Sequence, residues 1–487
     1  MTSSTWTSRA AALLMVLCAA LRAQAPDSVS HIQKEEPAKS PLAVERYELE
    51  NGMRVLLLPL KRAPIVSCRL FYQTGSVHEH AGNTGIAHLL EHEMFKGTEK
   101  IASNELWELY ESHGGTGLNA FTSSLMTAYF VTLPADRLEL FFWLESDRMR
   151  NAVLREFDSE LAVVREERRM RYDDSPTGRY FETLNATFWE GHPYRNPTIG
   201  WPSDIAQLKK EQAEEHFRRF YKPSNAILVL VGDFDPARAR ELAARYFAPI
   251  PPGEKLPDLS FREPVQVGSK RFAQYKDGAT PRVDLLFHTP GLGHPDLYAL
   301  DVAEGVLNGR TGRLYRDLVE GKRIATSANA GNAVQKWESS FELSASIRPG
   351  ADAKAVEEAL WDEIRRLQFE EIDPRELEKV KTQLIATNWR RLRDMEHLAT
   401  QLAFFEMNGD WTLVTRFAEE VAKVTPAEVR EAALRYLKVS NSTTGTILPA
   451  SESPDAVWTV APGAEKKAGE EAARETETAE KREAAHE

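Results

Sequence analysis

The chain has 487 residues, more than one hydrophobic core usually serves, so its length predicts two domains. Hydrophobic residues make up 42% of the chain and charged residues 28%, which is the composition of a globular protein with ample apolar surface to bury. The net charge of -12 and the lack of a long basic segment argue against a nucleic-acid partner, because neutralising phosphates requires clustered Lys and Arg.

The first 25 residues have the pattern of an export signal. Arg9 precedes an apolar run over residues 10–21, which is too short to span a bilayer and has the length of a signal-peptide core. The small residues Ala23-Gln24-Ala25 follow. The absence of acidic residues, with Ser, Thr and Arg present, also fits a mitochondrial presequence. The unbroken apolar run favours export, to the periplasm, with residues 26–41 as a polar leader and no membrane span in the mature chain.

The cysteine content limits the kinds of metal site that are possible. Of the two cysteines, Cys18 lies within the predicted signal, which leaves Cys68 alone in the mature chain. A single cysteine forms neither an internal disulfide nor a thiolate metal site. Any metal must therefore be held by histidine and carboxylate side chains.

The first half of the chain alternates predicted strands and helices. Alternating residues on both sides of Asn51-Gly52 predict a β-hairpin with a tight turn. A helix is expected to begin near Thr84 or Gly85, to be capped by Asn83 or Thr84, and to end at Phe95. The other predicted elements are strands at 64–72 and 226–231, paired strands within 118–133, and helices at 104–113, 137–149, 157–172 and 204–221.

A proline-rich linker at residues 249–265 separates this half from a second one in which the element order recurs. The sequence therefore predicts an α+β fold of two similar α/β-sandwich domains, residues 42–248 and 266–450, each a mostly antiparallel sheet with helices packed on it. Residues 451–487 are rich in Ala, Glu and Lys and are predicted to form a charged, disordered tail. The elements predicted in the second half are strands at 282–288 and 340–347, and helices at 296–308, 313–320, 353–368 and 375–393.

The segment His88-Leu89-Leu90-Glu91-His92 has a metal-binding pattern. On a helix, residues four apart share one face, so the imidazoles of His88 and His92 can reach one ion. Two imidazoles and one carboxylate suit a catalytic zinc site, because they leave a fourth position open for water. Glu91 lies beside these ligands, where it can take a proton from that water.

Two histidines at this spacing also occur on ordinary amphipathic helices, so the flanking residues matter. In order, the flanks are Gly75-Ser76, Glu79, Gly82, Gly85, Ala87 and, after the motif, Phe95-Lys96-Gly97-Thr98. With them the segment resembles the pitrilysin/insulinase family of zinc peptidases, whose motif is the inverted H-x-x-E-H. The resemblance covers roughly residues 42–450. It implies a zinc metalloendopeptidase that binds one Zn²⁺ per chain through His88 and His92, with Glu91 as the general base.

The resemblance also implies a third metal ligand on a later helix. Family members place a ligand Glu about eighty residues after the first His and seven after another Glu. Glu167 fits this spacing, with Glu160 seven residues before it, and Glu160 is expected to orient a ligand histidine. Glu166 remains an alternative ligand, although it points about 100° away from Glu167 on an ideal helix. The acid-rich segment also fits a solvated helix face whose charges pair with the neighbouring arginines.

Two further segments bear on substrate and metal binding. Asn119-Ala120-Phe121-Thr122 resembles the family's edge strand, which implies that a substrate backbone adds to the sheet there; a plain sheet edge is the alternative. His78 and His80 form an H-x-H pair, but they lie outside the ligand pattern and are predicted to be loop residues.

The sequence departs from the family at two functional positions. Catalytic members need an Arg and a Tyr, seven apart, from the second domain of the other half of the molecule. These residues stabilise the developing oxyanion. Aligned by eye, Val319 and Thr326 stand at the two positions, although Tyr315 or Arg323 would substitute if the alignment shifts.

This departure implies that the chain is one half of a heterodimer. A homologous partner subunit that lacks H-x-x-E-H would supply the Arg and Tyr, and the pair of subunits would cleave peptides or unfolded polypeptide segments. The alternative function is a non-catalytic structural or assembly subunit of the same fold. The intact set of His88, Glu91, His92 and Glu167 favours the enzyme, because a purely structural subunit has no physical need for all four.

Overall fold

The computed structural model describes residues 41–454, so the predicted signal peptide, nearly all of the leader and most of the predicted tail lie outside the described residues. The chain forms two compact units. Of the described residues, the first unit contains those up to Ala162 together with Thr198–Asp258 and Trp389–Arg416. The second unit contains Val163–Pro197, Leu259–Asn388 and the described residues from Phe417 onwards.

Each unit is built on one β-sheet. The strands are β1 Glu45–Glu48, β2 Arg54–Pro59, β3 Ile65–Tyr72, β4 Thr116–Thr122, β5 Thr127–Pro134 and β6 Ala226–Gly232 in the first unit, and β7 Lys270–Tyr275, β8 Arg282–Pro290, β9 Ala325–Ala333, β10 Glu338–Ile347 and β11 Ser442–Leu448 in the second. The α-helices are α1 Ile86–Glu93, α2 Glu105–Ser112, α3 Leu138–Asn151, α4 Phe157–Arg168, α5 Gly178–Phe188, α6 Pro202–Ile205, α7 Lys210–Phe220, α8 Pro236–Tyr246, α9 Asp296–Leu307, α10 Ala353–Phe369, α11 Pro374–Arg391, α12 Met395–Met407, α13 Leu413–Lys423 and α14 Pro426–Tyr436.

The two sheets share one strand arrangement. The six-stranded sheet has the order β1-β2-β6-β3-β5-β4, and the five-stranded sheet has the order β7-β11-β8-β10-β9. In each sheet one pair is parallel, β2 with β6 and β7 with β11, and every other neighbouring pair is antiparallel. From β2 and β7 onwards the two orders correspond strand by strand. The predicted fold of two similar, mostly antiparallel sheets with packed helices is confirmed.

The burial pattern of the strands follows their sequences. The central strand β6 is a continuous apolar run and all of its residues are buried, as expected for a strand covered on both faces. By contrast, β10 alternates, with Phe341, Leu343 and Ala345 buried in the core of the second unit and the intervening residues half-buried.

Two helices belong to a unit that their position in the sequence did not predict. Helix α5 precedes the linker but lies in the second unit, where Tyr180 donates a hydrogen bond to Asp284 Oδ2 at 2.5 Å. Helix α12 follows the second sheet but lies in the first unit, where Leu402 and Ala403 pack into one core with Val229 of β6. The compact units are therefore not the consecutive blocks 42–248 and 266–450, because each helix buries its apolar face against a sheet from the other block.

Several predicted elements differ in detail. The helix expected at 204–221 is divided into α6 and α7, and the helix expected at 313–320 is a π-helical turn, Tyr315–Gly321. The helix expected to end at residue 172 becomes π-helical over Arg169–Asp173. Between residues 41 and 454, the helices are too short or too polar to cross a membrane.

Candidate metal centre and active site

The H-x-x-E-H motif lies on α1, a short helix that is almost entirely buried. Ile86, Leu89 and Leu90 are fully buried and fix the helix against the first unit. His88 is 9% exposed and Glu91 8% exposed, so both polar side chains are nearly enclosed. The ring centroids of His88 and His92 are 4.9 Å apart, which is the consequence of their i,i+4 spacing on one face.

The side chain of Glu167, on α4, completes a group of three possible ligands. One ligand atom from each of His88, His92 and Glu167 can be chosen so that all three lie within 4.8 Å of one another. Among residues 41–454 this is the one such group of His, Cys, Asp and Glu. Two imidazole nitrogens and one carboxylate oxygen are the donor set of many catalytic zinc sites, so these residues fit the metal.

The alternative ligand Glu166 is directed elsewhere. Its carboxylate pairs with Arg169 at 2.6 Å, and the side chain is 52% exposed. Glu167 is more enclosed and also pairs with Arg171, at 2.9 Å. The structure therefore brings Glu167, and not Glu166, to the histidines. The ligand role itself remains a prediction.

Glu160 lies where it can orient one of the histidines. Its Oε2 lies 3.3 Å from His92 Nδ1, and its Oε1 lies 2.6 Å from the Nζ of Lys96. A histidine that donates its Nδ1–H to a carboxylate presents its Nε2 lone pair to a metal. The contact is the one that the predicted role of Glu160 requires, and Lys96 compensates the charge of the buried carboxylate. Lys96 follows the motif by four residues, and the sequence did not indicate its pairing with Glu160.

The carboxylate of Glu91 contacts β4, the outer strand of the first sheet. The hydroxyl of Thr122, at the end of β4, donates a hydrogen bond to Glu91 Oε2 at 2.5 Å. This bond holds the carboxylate in one orientation. The sequence indicated Thr122 only as part of a substrate-binding strand, and no spacing rule linked it to Glu91.

The segment Asn119–Thr122 forms part of β4, the outer strand of the six-stranded sheet. Asn119 is exposed, while Ala120 and Phe121 are half-buried. A register shift between Thr116 and Asn119 bends the start of the strand, with the left-handed Gly117 inside it. An edge position is what β-augmentation requires. Substrate binding by these residues remains a prediction.

The start of α1 differs from the expected cap. The N-cap position is Gly85, in the left-handed region and without a capping side chain. Asn83 Oδ1 instead accepts the backbone N–H of His80 at 2.8 Å, and Thr84 donates its hydroxyl to Asp204. The turn before the helix thus occupies both side chains that were expected to cap it.

A buried arginine holds the other end of the motif helix. Arg148 is fully buried on α3. Its Nε donates a hydrogen bond to the carbonyl oxygen of Met94, the C-cap residue of α1, at 3.1 Å. Its guanidinium pairs with Glu145 at 2.9 Å and lies over the ring of Tyr129. A buried charge needs such a partner. An arginine among the apolar residues of α3 was the sequence signal that could have revealed it.

The remaining histidines near the motif have local contacts. His78 Nδ1 accepts the N–H of Gly75 at 3.2 Å, and its ring packs against Phe220. His80 Nδ1 lies 3.0 Å from the carbonyl oxygen of Ala81. Neither belongs to the group of three possible ligands.

The positions expected to hold Arg and Tyr lie in the second unit. Val319 is in the π-helical turn and packs against the core of that unit. Thr326 is exposed on β9 and its hydroxyl donates to Ser346 O at 3.4 Å. Neither side chain has a charge or a phenol to offer an oxyanion.

Two family models match consecutive parts of the chain. The insulinase model of peptidase family M16 matches residues 54–201, and the model described as the peptidase M16 inactive domain matches residues 207–384. The zinc protease PqqE of Helicobacter pylori is 30% identical over 413 residues, which is 83% of this chain and 93% of that protein.

Solved structures show the same fold. The crystal structure of a protease from Helicobacter pylori has a TM-score of 0.80 at 30% identity and covers 84% of this chain and 100% of that one. The periplasmic protease PqqL of Escherichia coli has a TM-score of 0.72 at 18% identity, over 86% of this chain and 50% of that one. At that identity the second likeness shows the fold alone. The extent of the first relative and the matches of both models agree with the family predicted from the H-x-x-E-H motif. The chain belongs to the insulinase family of peptidases, M16.

Proposed function

We propose that the chain is the catalytic subunit of a zinc-dependent endopeptidase that hydrolyses peptides or unfolded polypeptide segments. The observation that carries this proposal is the approach of ligand atoms of His88, His92 and Glu167 to within 4.8 Å of one another, together with Glu91, which directly precedes His92 on α1. The relatives named as zinc proteases support it.

In this proposal His88, His92 and Glu167 hold one Zn²⁺. When bound, zinc acts as a Lewis acid that polarises the scissile carbonyl and makes water a stronger nucleophile. Glu91 accepts a proton from the attacking water and passes it to the nitrogen of the leaving amine. Thr122 keeps the Glu91 carboxylate oriented, and Glu160 keeps the His92 ring oriented.

The outer strand β4 would bind the substrate. An extended peptide that adds to β4 along Asn119–Thr122 gains backbone hydrogen bonds without a demand on its sequence. Because Thr122 ends this strand and contacts Glu91, the peptide backbone would lie next to the base. This mode of binding suits unfolded segments, since a folded substrate cannot offer a free strand.

A partner subunit would complete the site. Val319 and Thr326 provide neither the guanidinium nor the phenol that catalytic members use, so we propose a homologous partner that lacks H-x-x-E-H and supplies an Arg and a Tyr. The match to half of the PqqL chain supports this arrangement, because that protease has about twice the length of the matching region in one chain. The name of PqqL as a periplasmic protease also supports export of this chain to the periplasm rather than mitochondrial import.

A non-catalytic assembly subunit is the second candidate function. The observation that favours it is the match of residues 207–384 to a model described as an inactive domain, together with Val319 and Thr326 at the expected Arg and Tyr positions. A purely structural role, however, does not explain why His88, His92 and Glu167 lie close together.

The test compares the wild-type complex with its Glu91→Gln variant, each purified from the native source through a tag on this chain. We expect about one zinc per chain in both, and a loss of peptide cleavage in the variant of roughly 10²–10⁴-fold, because the ligands remain while the base is lost. A chelator should stop the wild-type reaction. Cleavage by the variant at the wild-type rate would refute the role of Glu91, and a zinc-containing but inactive wild-type complex would favour the assembly subunit.

A further inference from the structure

The motif helix begins at a glycine whose position leaves no room for a side chain. Gly85 has φ +90°, and a Cβ atom at this position would lie 2.4 Å from the carbonyl oxygen of Ile199. Gly200 faces it, and a Cβ atom there would lie 2.3 Å from Thr84 O. The two backbone segments approach so closely that residue 85 cannot be the Ser, Thr, Asp or Asn that usually caps a helix.

The capping group comes instead from Glu79, six residues earlier. Its Oε2 accepts the N–H of Gly85 at 2.9 Å and its Oε1 accepts the N–H of Ala87 at 2.9 Å. One carboxylate thereby satisfies two of the N–H groups that a helix start leaves without an intrahelical partner. Its negative charge also lies at the positive end of the helix dipole.

A second carboxylate holds the turn that leads into the helix. Asp204 Oδ2 accepts the N–H of Gly82 at 3.1 Å, and it also accepts the hydroxyl of Thr84 at 2.7 Å. The Thr84 hydroxyl in turn accepts the N–H of Trp201 at 2.9 Å. Asp204 therefore fixes the turn, whereas Glu79 binds the helix itself.

Glu79 acts one residue away from the first possible metal ligand. Its contact Ala87 precedes His88 directly, so a shift of the first helical turn moves the His88 ring with it. Metal sites need their ligands held within about 0.5 Å of the productive geometry. We propose that Glu79 is a positioning residue, which fixes the first turn of α1 so that His88 and His92 face the metal together. This inference rests on the proposed zinc-peptidase function.

An ordinary helix cap provides the matched control. Asp235 is the N-cap of α8 in the same unit, and its Oδ1 accepts the N–H of Ala237 at 3.0 Å. Loss of either carboxylate weakens a helix start, but only Glu79 adjoins a ligand-bearing turn. Zinc affinity therefore separates positioning of the metal site from general stabilisation.

The experiment measures the zinc affinity of the wild-type full chain and of its Glu79→Gln and Asp235→Ala variants by competition with a chromogenic chelator at pH 8.5. Burial raises the pKa of Glu79 to about 7, so at this pH the carboxylate is ionised. Hydrogen exchange of residues 85–92 and the thermal midpoint of the metal-free protein are measured alongside. We expect Glu79→Gln to weaken zinc binding by roughly 10–100-fold, the effect usual for groups that orient metal ligands, and to speed exchange in this segment.

Asp235→Ala removes the capping oxygen and should lower the thermal midpoint without changing zinc affinity. If Glu79→Gln does not fold, Glu79→Asp keeps the charge but is one methylene shorter, and a smaller loss of zinc affinity is then expected. Wild-type zinc affinity in the Glu79 variants, or an equal loss of zinc affinity in Asp235→Ala, would overturn the inference. A wild-type chain that binds no zinc would instead overturn the proposed function, and the inference with it.

Discussion

The hydroxyl of Thr122 donates a 2.5 Å hydrogen bond to Oε2 of Glu91. This bond joins the outer strand β4 to the helix that carries the H-x-x-E-H motif. Hydrogen bonds to a carboxylate are shorter and stronger than those between neutral groups. A single contact thus connects the proposed substrate strand with the proposed base.

Replacement of Thr122 tests this connection. Thr122→Val keeps the shape of the side chain but removes the donor, and we expect kcat/KM for peptide cleavage to fall by about 10–100-fold, because a hydrogen bond to a charged group contributes about 1.5–3 kcal/mol. Thr122→Ser retains a hydroxyl and should recover most of the activity. Zinc content should be unchanged in both variants. Equal activity of the Val and Ser variants would contradict the proposed contribution of the hydroxyl.

The pairing of Glu160 with His92 leads to a second prediction. Glu160→Gln replaces the carboxylate at 3.3 Å from His92 Nδ1 by a neutral amide, which should weaken zinc binding by roughly 10–100-fold. Glu156→Gln is the control. Glu156 also pairs with Lys96, at 3.4 Å, whereas the contact with His92 Nδ1 is made by Glu160. Competition with a chelator measures the zinc affinity of both variants. Equal affinities of the two variants would show that Glu160 does not tune the site.

A buried histidine cluster in the second unit predicts acid sensitivity. His192 is fully buried between Trp189 and Tyr194, and its pKa is lowered to about 4, mainly by burial, with Glu263 acting against and His288 adding to the shift. The pKa of His288 is lowered to about 4 for the same main reason. The unfolded chain therefore takes up protons near pH 6.5 that the folded chain takes up only near pH 4.

Stability should accordingly fall as the pH drops from 6.5 toward 4, by roughly 2–4 kcal/mol for His192 alone. His192→Phe should lower the thermal midpoint slightly at pH 7.5, because the hydrogen bond from Tyr194 N is lost. Between pH 6.5 and 4.5, however, its midpoint should fall less than that of the wild type. His113→Phe, at an exposed position, is the control. The same dependence of the thermal midpoint on pH in the wild type and in His192→Phe would contradict this account.

Local sequence patterns predicted most of the first sheet, whereas the residues of the candidate site were proposed from the resemblance to the family. The Asn51-Gly52 turn joins β1 and β2 as an antiparallel hairpin, and the seven-residue spacing of Glu160 and Glu167 places both on α4. These features depend on residues that are close in sequence, so the periodicity of helices and strands is enough to predict them.

The remaining features depend on contacts between distant segments. The glycine start of α1 follows from the approach of Gly85 to Ile199, and no pattern around residue 85 reports that contact. Likewise, the sequences of α5 and α12 do not indicate which sheet each helix covers. The bond between Thr122 and Glu91 arises only when β4 is placed beside α1.

The zinc stoichiometry of Glu167→Gln and Glu166→Gln, measured by elemental analysis next to the wild type, tests the central claim most directly. The two substitutions are chemically identical and adjacent, but only Glu167 lies with His88 and His92. We expect about one zinc per chain in the wild type and in Glu166→Gln, and a large loss of zinc in Glu167→Gln. Full zinc content in Glu167→Gln, or its loss in Glu166→Gln alone, would contradict the assignment of the metal centre.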